Sequence, residues 1–269
     1  MTAGASLTES FMKKMILLAL ATLLPVLSGC AGMQVKKDQV AAAHRVALVG
    51  YQGVLQLEDQ NSSSKKGGIT GMIGAGKAAG DLMSGKLGAR RAEQGTLGYG
   101  ELSKRLEKTF NWEMVPKEQL TGVPVYSDRL SKSVKLARVG SQTVDGVLTT
   151  GELASVKPQQ LGELAQALNA DAVATVNVTY TVGKTGGVSI GGFGSTTKYP
   201  VATAHLTVVD KQGQVIWEDY AARGQVTSQC LRNTMGADIV ENETEVLTEA
   251  ANSAFDAVIQ RYQSFEEKK

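Results

Sequence analysis

The sequence predicts an α/β fold of the α+β type: a mixed sheet with an antiparallel three-strand meander, packed by two or three helices including a long C-terminal one. Three features predict it. Pro158 opens a stretch with Leu161, Leu164, Ala165 and Leu168 at helical spacing, and Asn169-Ala-Asp171 ends it, which fits a helix over about 158–169. Alternation then takes over, with Val176, Val178, Tyr180 and Val182 interleaving with Thr175, Asn177, Thr179 and Thr181, the period of a half-buried strand. Residues 199–210 supply its partner, Lys211-Gln-Gly213 a tight turn, and 214–224 a third strand carrying Trp217. Last, Val246, Leu247, Ala250, Phe255, Val258, Ile259 and Tyr262 mark the buried face of a helix over 242–265.

Ahead of this body stands an export signal. Met1 and Met12 are both candidate starts, and Met12 is favoured because residues 1–11 add nothing to the signal. Lys13 and Lys14 form a positive n-region, 15–24 an apolar core, and Leu27-Ser28-Gly29 a small-residue cleavage site. That core is too short to cross a bilayer, which takes about 20 apolar residues. Leu27-Ser28-Gly29-Cys30 resembles the lipobox of bacterial lipoproteins. The resemblance implies cleavage after Gly29, lipidation of Cys30 and acylation of the new amino terminus, so that the chain is anchored to a membrane rather than spanning it. Three acyl chains, at about 0.8 kcal/mol per buried CH₂, make such an anchor permanent. The residue after the cysteine is Ala31 and not an aspartate, for which the same resemblance implies delivery to the outer membrane, facing the periplasm.

The organisation expected is therefore a signal peptide at 1–29, a polar tether at 30–43, and one α/β periplasmic domain at 44–265 with a glycine-rich insert at 62–95. Residues 44–57 read as the first strand, since Arg45-Val-Ala-Leu-Val-Gly50 is a continuous apolar run extended by Val54, Leu55 and Leu57. Gly50 and Gly53 inside it predict a bulge or bend. In the insert, Gly71-Met-Ile-Gly-Ala-Gly76-Lys77-Ala78 nearly matches a phosphate-binding loop, but Ala78 replaces the hydroxyl that holds Mg²⁺ and no strand feeds the loop. No nucleotide is expected. Ile69, Met72, Ile73, Gly76, Ala79, Gly80 and Met83 instead fall near one helical face. The stretch resembles the glycine-zipper segments of some outer-membrane lipoproteins, although Lys77 and Asp81 depart from them; the other reading is a plain glycine-rich loop.

A helix over 98–110 is marked by Leu97, Leu102, Leu106 and Phe110 on one stripe, opposite Glu101, Lys104, Arg105, Glu107 and Lys108. A short strand at 112–115 is closed by Pro116. Residues 130–139 fit helix and strand equally, and 183–198 reads as a long glycine-rich hairpin loop. Taken together, the strand after the tether, the helix, the short strand and Leu161-Gly-Glu-Leu-Ala-Gln-Ala-Leu-Asn-Ala-Asp-Ala-Val-Ala-Thr-Val resemble the periplasmic α/β domain shared by curli-export lipoproteins and the amino-terminal domain of TolB. That likeness implies oligomerisation or contact with envelope partners, not catalysis. The glycine-rich insert departs from it.

Catalytic and metal chemistry find no footing in the sequence. Gly187-Val-Ser189-Ile-Gly191 matches a nucleophile elbow, but the serine lies between strands and no histidine follows His205. His44 and His205 have no second ligand at a useful spacing. Glu241, Glu243 and Glu245 read as the solvated start of a helix, favoured by its dipole. Loss of the signal leaves the chain near neutrality, about +1, which gives no argument for nucleic acid. With Cys30 acylated, Cys230 has no intramolecular partner and is expected to be covered or partly covered. The function expected is a non-catalytic, membrane-anchored envelope lipoprotein, with no cofactor or metal, that binds a protein partner or self-assembles. Ile69, Met72, Ile73, Met83, Ile190 and Phe193, apolar residues set among glycines, are the candidate contact residues. The alternative is a pore-forming or secretion-channel oligomer, whose hairpin over 172–210 has arms of about 11 residues, near the length a membrane strand needs.

Overall fold

A computed structural model describes residues 32–57, 86–132, 141–190, 193–234 and 242–266. The chain divides into a short unit, 1–33, and a large one, 34–269, and only Gly32 and Met33 of the first are among the described residues. Strand β1 (Met33–Val35) ends the first unit and opens the second. In the large unit the chain runs through α1 (Lys37–Ala42), β2 (Arg45–Gln56), α2 (Lys86–Phe110), β3 (Glu113–Met114), α3 (Lys117–Leu120), α4 (Pro124–Lys132) and β4 (Ser141–Gln142). It continues through α5 (Thr150–Leu153), α6 (Pro158–Ala167), β5 (Ala172–Ile190), β6 (Phe193–Asp210), β7 (Val215–Arg223), β8 (Leu231–Thr234) and α7 (Glu243–Glu266).

These strands form a mixed sheet in the order β7-β6-β5-β2-β3, with β4 beside β2 and β8 beside β6. β2 runs parallel to β3 and β5, while β5, β6 and β7 make the antiparallel meander. Helices cover both faces. Gly50 meets Leu153 of α5, whereas Tyr51, the next residue, meets Gly98 of α2. Val46, Ala47, Leu48, Val49 and Tyr51 are fully buried, the apolar run of a strand covered on both sides. The expected irregularity is present as a register shift against β5 between Leu48 and Gly50.

The meander follows its sequence pattern. Val176, Val178 and Tyr180 are buried, as are Leu206, Val208, Ile216 and Trp217. Gly213 turns the chain with φ +77 and packs against the backbone of Gln159 at the start of α6, so the turn and the helix are fitted to each other. Along α7, Val246, Leu247, Ala250, Phe255, Val258 and Tyr262 are buried, while Ile259 is half-buried.

Three expectations are corrected. The stretch 30–43 is not a tether throughout: Val40 is fully buried in α1, the Lys36 N–H donates to Ile216 O at 2.8 Å, and Lys37 Nζ donates to Tyr262 O at 2.9 Å while lying 4.0 Å from its ring centre. The expected insert at 62–95 ends too late, because α2 begins at Lys86. Its early buried positions are Arg91 and Gln94, polar residues that a search for apolar periodicity passes over. Leu97 also leaves the expected stripe and is exposed, its place taken by Tyr99 beside Leu102 and Leu106.

Candidate functional site

The part of the fold that building a core does not explain is the far end of the β5–β6 pair. β2 stops pairing with β5 at Gln56↔Thr181, and β7 stops pairing with β6 at Thr203↔Arg223. β5 and β6 nevertheless continue together from Lys184↔Tyr199 to Ile190↔Phe193, after a register shift between Val182 and Lys184. β8 adds to the outer side of β6 over Ser195–Lys198. The result is a ribbon standing beyond the sheet. Of residues 183–198, expected as a loop, 183–190 and 193–198 are therefore corrected to strand. Glycine misled here because two of these residues lie across from β-branched ones: Gly186 pairs with Thr197 and Gly187 with Thr196, and a strand tolerates glycine where its neighbour supplies the propensity.

Residues 183–187 are exposed. Gly183 lies against Val226, whose Cγ2 stands 2.7 Å from where a Cβ would be, so the loop after β7 covers the root of the ribbon. Lys198 Nζ donates to Leu57 O at 2.8 Å, and Lys184 Nζ lies 5.6 Å from the Tyr199 ring centre. No Asp or Glu occurs from 172 to 209. The structure brings the backbones of Ile190 and Phe193 together as the last pair of the hairpin. Gly29, Cys30, Ile69, Met72, Ile73 and Met83, and the near-phosphate loop at 71–78, lie outside the described residues.

A second feature was missed by sequence reasoning. Arg91 donates to Gln94 Oε1 at 2.7 Å and to Glu243 Oε1 at 3.0 Å. Gln94 Nε2 reaches Thr244 Oγ1 at 3.2 Å and Glu243 Oε2 at 3.4 Å, Gln142 Nε2 donates to Gln94 Oε1 at 3.2 Å, and Tyr180 OH donates to Gln142 Oε1 at 2.9 Å. Arg91, Gln94, Gln142, Tyr180 and Glu243 are all buried. Glu243, expected to be solvated, is thus corrected to a buried partner. Burial raises the Tyr51 and Tyr180 hydroxyls well above the ordinary phenol range, and Tyr51 OH has no hydrogen-bond partner among the described residues. This network locks the start of α2 to α7 and to the sheet. The sequence held one trace of it, an Arg and a Gln three apart on one helix, but the acid stands 152 positions from Arg91.

Elsewhere the surface offers less. An apolar groove of about 90 Å³ lies among Tyr126, Leu148, Leu153, Leu161 and Leu164, with Arg129 at its rim. A wider polar groove of about 770 Å³ runs along α7 beside Arg223, Glu249 and Asn252. Ser189 lies within β5 opposite Gly194, so the strand-turn-helix geometry of a nucleophile elbow is not formed there. His205 packs on Tyr220 with ring centres 4.1 Å apart. Burial lowers its pKa against the opposing pull of Glu218 and Asp219, and a hydrogen bond with Glu218 pushes the Tyr220 hydroxyl up to about 12. Asp171 is lowered despite its partial burial, because the His44 N–H, Lys211 and the Arg45 N–H all donate to it. Among the described residues no three His, Cys, Asp or Glu side chains could hold a metal ion. Cys230 is a free thiol, partly covered as expected.

Among the described residues no helix is long and apolar enough to cross a membrane. No family model matches the chain, and no curated protein does. Two solved structures resemble it weakly. One is lipoprotein GNA1162 of Neisseria meningitidis, at 14% identity over 82% of this chain and 99% of that one, with a TM-score of 0.22. The other is the hypothetical protein CT253 of Chlamydia trachomatis, at 12% identity over 82% of this chain and 95% of that one, with a TM-score of 0.26. Likeness at these scores leaves fold and function to rest on the residues described above.

Proposed function

We propose that the chain is a lipid-anchored lipoprotein of the cell envelope. It is held at the outer membrane through Cys30 after cleavage at Gly29, and its body contacts a protein partner or a second copy without catalysis. One observation carries the contact role: β5 and β6 stay paired to Ile190↔Phe193, well past their neighbours β2 and β7. A stable core does not need that extension, and loops and tips on a rigid scaffold are where interactions concentrate. The anchor rests on Leu27-Ser28-Gly29-Cys30 behind an apolar core. The glycine-rich insert with Ile69, Met72, Ile73 and Met83 is the second contact region in this reading.

The test is crosslinking in intact cells from single cysteines, Ile73→Cys and Phe193→Cys, in a Cys230→Ser background. Adducts with another envelope protein support an adaptor, and adducts between copies support an assembly. No adduct at either position, while exposed control cysteines react, removes the contact role. A pore-forming oligomer is the competing reading, and strands of about seven residues beyond the sheet count against it, since a membrane strand takes about 9–11. A barrel inserted by these ribbons would run on gels as a large, heat-sensitive species.

A further inference from the structure

Accepting Cys30 as the lipid anchor, we infer that the body stands on its membrane with one particular end down. The strand-start end, at the β6–β7 turn, rests on the headgroups of the anchoring leaflet, and the β5–β6 ribbon points away from that bilayer. The reasoning begins with the reach of the chain. Lys36 lies six residues on from Cys30, and an extended chain covers at most about 3.5 Å per residue, so Lys36 stays within about 21 Å of the acylated cysteine. Lys36 is fixed to the body, because its N–H donates to Ile216 O at 2.8 Å. In β7 Ile216 stands between Val215, opposite Val209, and Trp217, opposite Val208. The anchor is therefore tied to the level of Val209 in β6.

The tip lies at the other end. From Val209 the strand runs back to Phe193, which at about 3.3 Å per residue is on the order of 50 Å. The end within reach of the anchor is the turn around Gly213, flanked by α1 and by the start of α6. Its exposed side chains include Lys36, Gln159, Lys211, Gln212 and Gln214, with the part-exposed acids Asp171 and Asp210 beside Lys211 and Gln212. Lys36 Nζ donates to Gln214 Oε1 at 2.9 Å, and Gln159 packs against Gly213. A polar surface of this kind suits hydrated headgroups and not hydrocarbon.

The ribbon is also too short to cross the bilayer. The loop after β7 still covers its root, since the Thr227 N–H donates to Pro200 O at 3.0 Å and Val226 abuts Gly183. The strands beyond that cover are 184–190 and 193–199, the second still paired with β8 over Ser195–Lys198; they have about seven residues each, where a membrane strand takes about 9–11. Pairing of residues 172–182 and 200–210 with β2, β7 and each other keeps them in the sheet, and Val201, Ala202 and Ala204 are fully buried. Any partner of the ribbon is consequently met on the periplasmic side.

The experiment uses the full-length protein, extracted from membranes and inserted from dilute detergent into preformed vesicles of phosphatidylethanolamine and phosphatidylglycerol. A fluorophore is placed on Gln212→Cys at the turn or Thr185→Cys on the ribbon, each in a Cys230→Ser background, and quenched by nitroxide-labelled headgroups. Quenching at position 212 several-fold above that at 185 is expected, with 185 no more quenched than free dye in the same suspension. Equal or stronger quenching at 185 overturns the orientation, and so does absence of quenching at 212. The mass of the amino-terminal peptide from the same preparation separates the two ideas. An unmodified Cys30 sinks the anchor and the orientation with it, whereas an acylated Cys30 with a quenched ribbon sinks the orientation alone.

Discussion

Glu243 and Asp171 are both acids at an element's edge, yet their surroundings give them different tasks. Glu243 sits buried against Arg91, and removing one member of a buried pair costs about 3–5 kcal/mol because the other charge stays behind. Glu243→Ala should therefore destabilise by about 3 kcal/mol in urea denaturation, and Arg91→Met combined with Glu243→Leu should recover most of that. A loss under about 1 kcal/mol in the single variant would show that the pair does not hold α2 to α7. Asp171 is part-exposed and joins β2, through the His44 and Arg45 N–H groups, to the turn at Lys211. Its carboxyl lies below the ordinary value in the folded state. The stability it contributes is complete above the unfolded value of about 3.9 and is lost as pH falls through the folded one. Asp171→Ala should cost about 1 kcal/mol at pH 7 and progressively less as pH falls below the unfolded value. A cost that does not change as pH falls would contradict the assignment. Neither role was legible in the sequence, because both depend on partners more than 100 positions away.

At the scale of elements, what the sequence shows depends on whether the pattern is local. α6 and the β5–β6–β7 meander were legible because Leu161, Leu164 and Leu168, then Val176, Val178 and Tyr180, repeat at the period of the element they build. Three pieces were not. The first turns of α2 bury polar side chains, the ribbon is disguised by glycine, and β8 depends on pairing with β6. Within α2 the glycines make a sharp comparison. A Cβ on Gly95 would collide with the backbone carbonyl of Thr143, whereas one on Gly100 would meet nothing within 4 Å. Gly100→Ala should thus raise stability by about 0.5–1 kcal/mol through helix propensity and a less free unfolded chain. Gly95→Ala should lower it by at least about 1 kcal/mol, since backbone must shift to admit the methyl group. Paired melts decide this, and a stabilised Gly95→Ala would show that α2 does not pack closely on the backbone of Thr143, just after β4.

For the whole molecule, the corrected end of the insert changes what can be removed. Loop-closure entropy grows slowly with length, so replacing 62–85 by a short Gly/Ser linker should leave the melting transition within a few degrees. Extending the replacement to 95 removes Arg91 and Gln94 and should cost about 3 kcal/mol more, read from denaturation of the two variants side by side. Equal stability would mean that the start of α2 is dispensable. The candidate site was half legible in the same way. Ile190 and Phe193 were singled out from their glycine-rich setting, but not their place as the last backbone pair of a ribbon.

Orientation on the lipid and direction of the ribbon both depend on one proposed modification, the acylation of Cys30. Metabolic labelling with a radioactive fatty acid, comparing wild type with Cys30→Ser in the same cells, measures it most directly. Label in the wild-type protein and none in the variant, which should also keep its signal peptide and migrate more slowly, is the expected result. Equal label in both, or none in either, would contradict the anchor and with it the reading of this chain as an envelope lipoprotein.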